Sequence, residues 1–308
     1  NNHFIWNVDA AIDSNGNVYV SDVDNDRVQK FNSSGVYVST LGVTSVPYLT
    51  NSEYINEPRG LALAADGSLF VAEDMGKRVL KYAVDGTQLW AAGVAGLEGA
   101  DDEHFGSYWG GIMGNMAYDA ANNFLYVPDS GNNRISILNA NTGDRIGNFG
   151  EWGQGTQQFD QPRGIAINPL NGDIFISDYA NHRIQIYNSL RLYKATIGIT
   201  AESGQDNTHL NYPSGVTITP TGVVYIDDTE NNRIQKCTTL NSTIYTCTTF
   251  AGITANNGDD FDHLSSPHSV AVDQLGRVYI ADSWSGRVQV LDTNGNYLTT
   301  IGGGCYGS

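Results

Sequence analysis

Short apolar runs recur along the chain at nearly even intervals, each closed by an acidic residue. Six of them align: Val18-Tyr19-Val20-Ser21-Asp22, Leu69-Phe70-Val71-Ala72-Glu73, Leu125-Tyr126-Val127-Pro128-Asp129, Ile174-Phe175-Ile176-Ser177-Asp178, Val224-Tyr225-Ile226-Asp227-Asp228 and Val278-Tyr279-Ile280-Ala281-Asp282. An arginine stands five residues after every terminal acid, at Arg27, Arg78, Arg134, Arg183, Arg233 and Arg287. The acids themselves are 51, 56, 49, 50 and 54 residues apart, so insertions are confined to the segments between motifs. Runs this short, rich in β-branched and aromatic residues and bounded by Gly, Asn and Asp, read as strands.

Each interval holds four such runs. An apolar first strand, as in Gly164-Ile165-Ala166-Ile167, leads through an Asn/Asp/Gly turn to the aromatic second strand. A small polar loop follows the acid, then a third strand such as Arg183-Ile184-Gln185-Ile186-Tyr187. A second turn leads to a fourth strand ending in glycine, as in Tyr297-Leu298-Thr299-Thr300-Ile301-Gly302. No helical periodicity interrupts the pattern. Four strands per unit, repeated radially, make a propeller blade. The predicted fold is therefore all-β, a six-bladed β-propeller with four antiparallel strands per blade. It forms one domain over residues 1–308, with repeats at about 7–41, 57–93, 112–150, 161–198, 212–252 and 266–302.

The acid-loop-Asn-x-Arg-Ile motif, plain in Asp129-Ser130-Gly131-Asn132-Asn133-Arg134-Ile135 and in Asp228-Thr229-Glu230-Asn231-Asn232-Arg233-Ile234, resembles the NHL repeat over about residues 7–302. Family members with six repeats form six-bladed propellers, which the resemblance implies here. Repeat 3 departs most, lacking the Pro-x-Gly start and following the longest insertion. Closure is expected between the first and last blades, with His3 to Trp6 as an added edge strand, because open edges invite aggregation.

Alternating strand direction assigns every loop to one of two faces. The lead-in loops before first strands and the loops between second and third strands share an upper face; the remaining turns share a lower one. Lower turns are mostly short, as in Ser14-Asn15-Gly16 and Asp66-Gly67, whereas upper loops are long, aromatic and acidic. Binding groups concentrate on variable loops of rigid scaffolds, so function is expected on the upper face.

Composition narrows the partners. Net charge is −17 with only five lysines, which disfavours nucleic acid and anionic membrane surfaces. No run reaches the roughly 20 apolar residues of a membrane span, and a secretion signal is expected to have been removed. Cys237 and Cys247 flank Asn241-Ser242-Thr243 symmetrically, so a hairpin there sets them opposite one another, either as a disulfide or as two thiols. Cys305 is left over, idle or available to a second chain. Two sequons, Asn32-Ser33-Ser34 and Asn241-Ser242-Thr243, fall at lower-face hairpin tips, in keeping with an extracellular or cell-surface protein.

Candidate chemistry gathers at the channel mouth, where the residues preceding the first strands align as Val8, Arg59, Gly114, Arg163, Ser214 and His268. Arg59 and Arg163 could bind a carboxylate bidentately, or pair with nearby acids and stiffen the rim. The resemblance also allows an enzyme test: NHL-type amidating lyases carry three Pro-His pairs that hold zinc, and only Pro267-His268 matches here, so that activity is not expected. Asp206 with His209 and Asp260 with His263 recur in the lead-in loops 198–213 and 252–267, and could ligate a divalent ion or hydrogen-bond the loop backbone while Leu210 and Leu264 plug the core. Acidic clusters at Asp101, Asp102 and Glu103 and at Asp259, Asp260 and Asp262 admit calcium but lack EF-hand spacing; no cofactor is firmly implied. Upper-face aromatics comprise Trp284, Tyr179 and His182 between second and third strands, and Tyr48, Tyr54, Tyr108, Trp109 and Trp152 in lead-in loops. They stack on a glycan, anchor a protein or pack inward. The leading expectation is a recognition module for a protein or glycan partner. A self-associating structural subunit is the second, and a lyase or hydrolase at the mouth using His268, Arg59 and Arg163 the third.

Overall fold

The computed structural model describes residues 4–43, 54–106, 114–241 and 243–303. They form six four-stranded antiparallel sheets arranged as the blades of a propeller. Blade 1 comprises Asn7–Ile12, Val18–Asp22, Arg27–Phe31 and Tyr37–Gly42, and blade 2 Pro58–Leu63, Leu69–Glu73, Arg78–Tyr82 and Gln88–Ala92. Blade 3 runs through Ala117–Asp119, Phe124–Asp129, Arg134–Asn139 and Arg145–Phe149, and blade 4 through Pro162–Ile167, Ile174–Asp178, Arg183–Tyr187 and Tyr193–Gly198. Blade 5 holds Pro213–Ile218, Val224–Asp228, Arg233–Asn241 and Ile244–Ala251, and blade 6 Pro267–Val272, Val278–Asp282, Arg287–Leu291 and Tyr297–Gly302. In every blade the first strand is innermost, and first strands of neighbouring blades pack side by side around the axis. That approach is close: a Cβ on Gly114 would lie 2.0 Å from the Arg163 carbonyl oxygen.

Successive residues of a strand point to opposite faces, and here both faces are buried. Val18 and Val20 join the apolar layer between blades 6 and 1, whereas Tyr19 between them joins the layer between blades 1 and 2. This explains why the second strands read as continuous apolar runs. One apolar cluster fills each of the six blade interfaces. Each receives one plug from the lead-in loop: Phe4, Ile55, Phe105, Phe159, Leu210 or Leu264, all at most 3% exposed.

Residues 4–6 are not the expected edge strand, and His3 lies outside the described residues. Blade 1 already holds four consecutive strands, so Phe4 serves as a plug instead, edge-on to Phe31 at 5.8 Å. The ring closes through packing and side chains. Asn7 Nδ2 donates to the Arg287 carbonyl at 2.9 Å, and Ser283 Oγ donates to the Asn7 carbonyl. In blade 5 Cys237 faces Cys247 across the hairpin, and the two form a disulfide. Cys305 lies outside the described residues, as do Tyr48, Tyr108 and Trp109.

Candidate functional site

The upper face is built on the acid that ends each second strand. Six arginine Nε atoms donate to those carboxylates at 2.7 Å: Arg27 to Asp22, Arg78 to Glu73, Arg134 to Asp129, Arg183 to Asp178, Arg233 to Asp228 and Arg287 to Asp282. The other carboxylate oxygen accepts the backbone N–H of the residue after the plug, from Ile5, Asn56, Gly106, Asp160, Asn211 and Ser265, at 2.6–2.9 Å. The outer nitrogens of Arg78, Arg134, Arg183, Arg233 and Arg287 then reach carbonyls of their lead-in loops. Arg233 donates to Gln205 and Asp206 at 2.7 and 2.6 Å, and Arg183 donates to Gln154 and Gly155, each at 2.8 Å. One acid and one arginine thus fasten each variable loop to its blade.

Between acid and arginine the chain makes a tight turn whose last residue is left-handed, at Asp26, Lys77, Asn133, His182, Asn232 and Gly286. Four of these side chains couple blades, accepting the N–H of the residue before the next blade's proline. Asp26 Oδ1 accepts from Glu57, Asn133 Oδ1 from Gln161, His182 Nδ1 from Tyr212 and Asn232 Oδ1 from Ser266, at 2.9–3.1 Å. His182, expected among exposed aromatics, is therefore buried and structural, 9% exposed, with burial holding its pKa below the usual value.

The mouth residues are brought together but differ in partners. Arg59 Nε lies 2.9 Å from Asp74 Oδ2, Arg59 Nη2 lies 3.5 Å from Glu57, and the guanidinium sits over Trp6. Ser214 is buried; its Oγ lies 2.5 Å from Thr229 Oγ and donates to the His268 carbonyl, joining blades 5 and 6. His268 donates from Nδ1 to the Ser266 carbonyl at 2.8 Å, and burial with the nearby charges of Arg163 and Arg59 holds its pKa at about 4. Arg163 stacks on Tyr179, its guanidinium carbon 3.2 Å from the ring centroid.

The Asp-x-x-His pairs close their own loops. Asp206 accepts the Thr208 and His209 backbone N–H groups and meets His209 Nδ1 at 2.9 Å; Asp260 does the same for Asp262 and His263, with His263 Nδ1 at 2.6 Å. Sequence reasoning missed a third copy, Asp101 with His104 at 2.6 Å, although Asp-x-x-His before an apolar plug was there to be read. Among the described residues no three His, Cys, Asp or Glu side chains are grouped to hold a metal. Exposed large apolar groups include Trp284 at 67%, on the blade 6 turn, and Trp152 at 71%, on a short parallel ladder in the blade 4 lead-in loop.

The NHL repeat family model matches residues 8–31, 159–187, 210–237 and 264–291. The chain thus carries NHL repeats in blades 1, 4, 5 and 6. It is similar to Protein brain tumor of Drosophila melanogaster, 31% identical over 50% of this chain and 14% of that protein. It is also similar to NHL repeat-containing protein 3 of Mus musculus, 26% identical over 60% of this chain and 53% of that one. The chain therefore spans about half or less of these relatives' length. A virginiamycin B lyase from Staphylococcus aureus superposes with a TM-score of 0.57, covering 95% of this chain and 83% of that one at 13% identity, which shows the shared propeller fold alone.

Just below the mouth, side chains from three blades bridge the channel. Asp9 of blade 1, Asn115 of blade 3 and Ser269 of blade 6 meet there: Ser269 Oγ donates to Asp9 at 2.6 Å, and Asn115 Nδ2 donates to Asp9 at 2.9 Å and to Ser269 Oγ at 2.8 Å. Burial lifts Asp9 to about 7 despite these donors. Asp227 enters beside Gly215, fully buried with neither oxygen hydrogen-bonded among the described residues; burial and then the charge of Asp9 push its pKa well up. A carboxyl raised in the folded state stabilises below its unfolded pKa and loses that contribution as pH rises through the folded value. Asp9 should therefore contribute up to about 1 kcal/mol more as pH falls from about 8 to 6.5, while the depressed histidines His182 and His268, which protonate first in the unfolded chain, oppose it over the same window. Urea unfolding checks this: the stability of the native chain relative to Asp9→Asn should rise as pH falls over that window, because the histidines act alike in both, and a difference that stays constant with pH would contradict it.

Proposed function

We propose that this NHL propeller is a secreted or surface-attached recognition module that engages a protein partner through its upper face. The observation that carries the reading is a ring of differing side chains on six closely similar turns. The second residue after each motif acid is Asp24, Met75, Gly131, Ala180, Glu230 or Trp284, on a backbone fixed by the acid-arginine clamp. In blade 6 the Trp284 N–H donates to the Ser265 carbonyl at 3.2 Å while its indole stands exposed. A large aromatic on a rigid support loses little entropy on binding and is the residue type most enriched at binding hot spots. The same chemistry stacks on sugar rings, so a glycan is the alternative ligand.

The buried Cys237–Cys247 disulfide supports an oxidising compartment. Asn32 and Asn241 stand at third-to-fourth-strand hairpins, away from the upper face. Channel chemistry favours recognition over catalysis, because Arg59, Ser214 and Nδ1 of His268 are all committed within the protein.

A photo-cross-linking residue placed at Trp284 should give one discrete protein adduct in material from the source, and one at Leu170, on a lower turn, should give none. Excess native chain should compete the adduct and excess Trp284→Ala should not. Equal adducts from both faces, or equal competition, would sink the reading, and retention on immobilised glycans lost in Trp284→Ala would favour the glycan instead. Intact mass of the protein from its source should show N-glycan on Asn32 and Asn241; bare asparagines count against secretion.

A further inference from the structure

Blades 2 and 4 place an arginine at the same position of the mouth, and the two are treated differently. In blade 2 the residue following the motif acid is Asp74, which holds Arg59 Nε at 2.9 Å, and the residue before the proline is Glu57, 3.5 Å from Arg59 Nη2. In blade 4 those two positions are Tyr179 and Gln161. Arg163 is buried, 9% exposed, yet no carboxylate lies within ion-pair distance of it among the described residues; its Nε, like that of Arg59, makes no hydrogen bond there, so the difference between the two arginines is the ion pair. Tyr179 supplies a ring face instead. Glu230, exposed on the neighbouring turn, reaches it only through space, while Arg59 repels it. The His268 imidazole beside it is neutral, with its Nδ1 proton already given to Ser266.

A buried guanidinium without a counter-charge is costly, and a planar fork backed by an aromatic ring is shaped for a carboxylate. We propose that Arg163 and Tyr179 form an anion site at the upper mouth that takes a single carboxylate from the partner, doing for blade 4 what Asp74 does within blade 2. This rests on the recognition reading only for the partner being a protein. The chain's net charge of −17 repels polyanions, so the carboxylate arrives on a neutral or basic segment, as a free C-terminus or as one acidic side chain.

The test uses the intact chain, titration calorimetry and nitrogen-detected spectra of the His268 ring. The probes are acetyl-Gly-Lys-Ala-Ala with a free C-terminus, the same peptide amidated, the amidated peptide with Glu in place of one Ala, and inorganic phosphate. The free acid or the Glu peptide should bind about tenfold or more tightly than the neutral amide and shift the His268 Nε2 resonance, and which of the two binds names the source of the carboxylate. Arg163→Gln should lose that preference. Tyr179→Asp should lose it too while keeping or raising the melting temperature, because the new acid pairs with Arg163 as Asp74 pairs with Arg59. Equal binding of all three peptides, undiminished binding to Tyr179→Asp, or phosphate binding more tightly than either carboxylate overturns the assignment. Cross-linking at Trp284 reads the protein interface separately, so either result can fail without the other.

Discussion

A carboxylate buried at the end of each second strand is the interaction on which the rest of the molecule depends. Burying an ionised acid costs several kcal/mol unless its charge and lone pairs are met. Here each acid is met from two sides, by an arginine on the third strand and by a backbone N–H from the lead-in loop. Removing either partner leaves a buried charge with only part of its compensation, so the lead-in loop depends on the acid and the arginine together. Glu73 replaces Asp in blade 2 with the same two contacts, which shows that the requirement is for the carboxylate rather than for one side-chain length.

The clamp explains how loops of unequal length end in the same place. Each plug residue immediately precedes the clamped N–H, so fastening the loop also drives an apolar side chain into the blade interface. Phe159, for example, packs 6.0 Å from the Tyr187 ring and 6.1 Å from Phe149. Core packing and the shape of the upper face therefore have one cause. Once the frame is set six times over, positions that touch nothing structural are free to differ. Those positions carry Trp284, Glu230 and Met75.

The repeat, the blade count and the acid-arginine spacing were legible in the sequence because they are local: strand alternation and a five-residue interval survive divergence of everything between. The plugs were half legible. Leu210 and Leu264 stood out through the shared loop pattern, but Phe4 and Ile55 sit in loops with no common sequence. Contacts across the ring were not legible at all. Nothing local pairs Asp9 with Asn115 and Ser269 from three blades, or gives Arg59 the Asp74 that Arg163 lacks. His182 was misplaced for the same reason: its position in the turn is occupied elsewhere by Asp, Asn, Lys or Gly, and its role as an acceptor for Tyr212 appears only when the next blade is in place.

Hydrogen exchange on Asp228→Asn tests the clamp most directly. The account predicts that amides of residues 203–211 exchange roughly 10-fold faster or more, in the manner of local opening, while Val224–Asp228 keeps the protection of the native blade. Unchanged exchange in that loop, or uniform loss of protection across all six blades, would contradict the claim that each acid fastens its own loop.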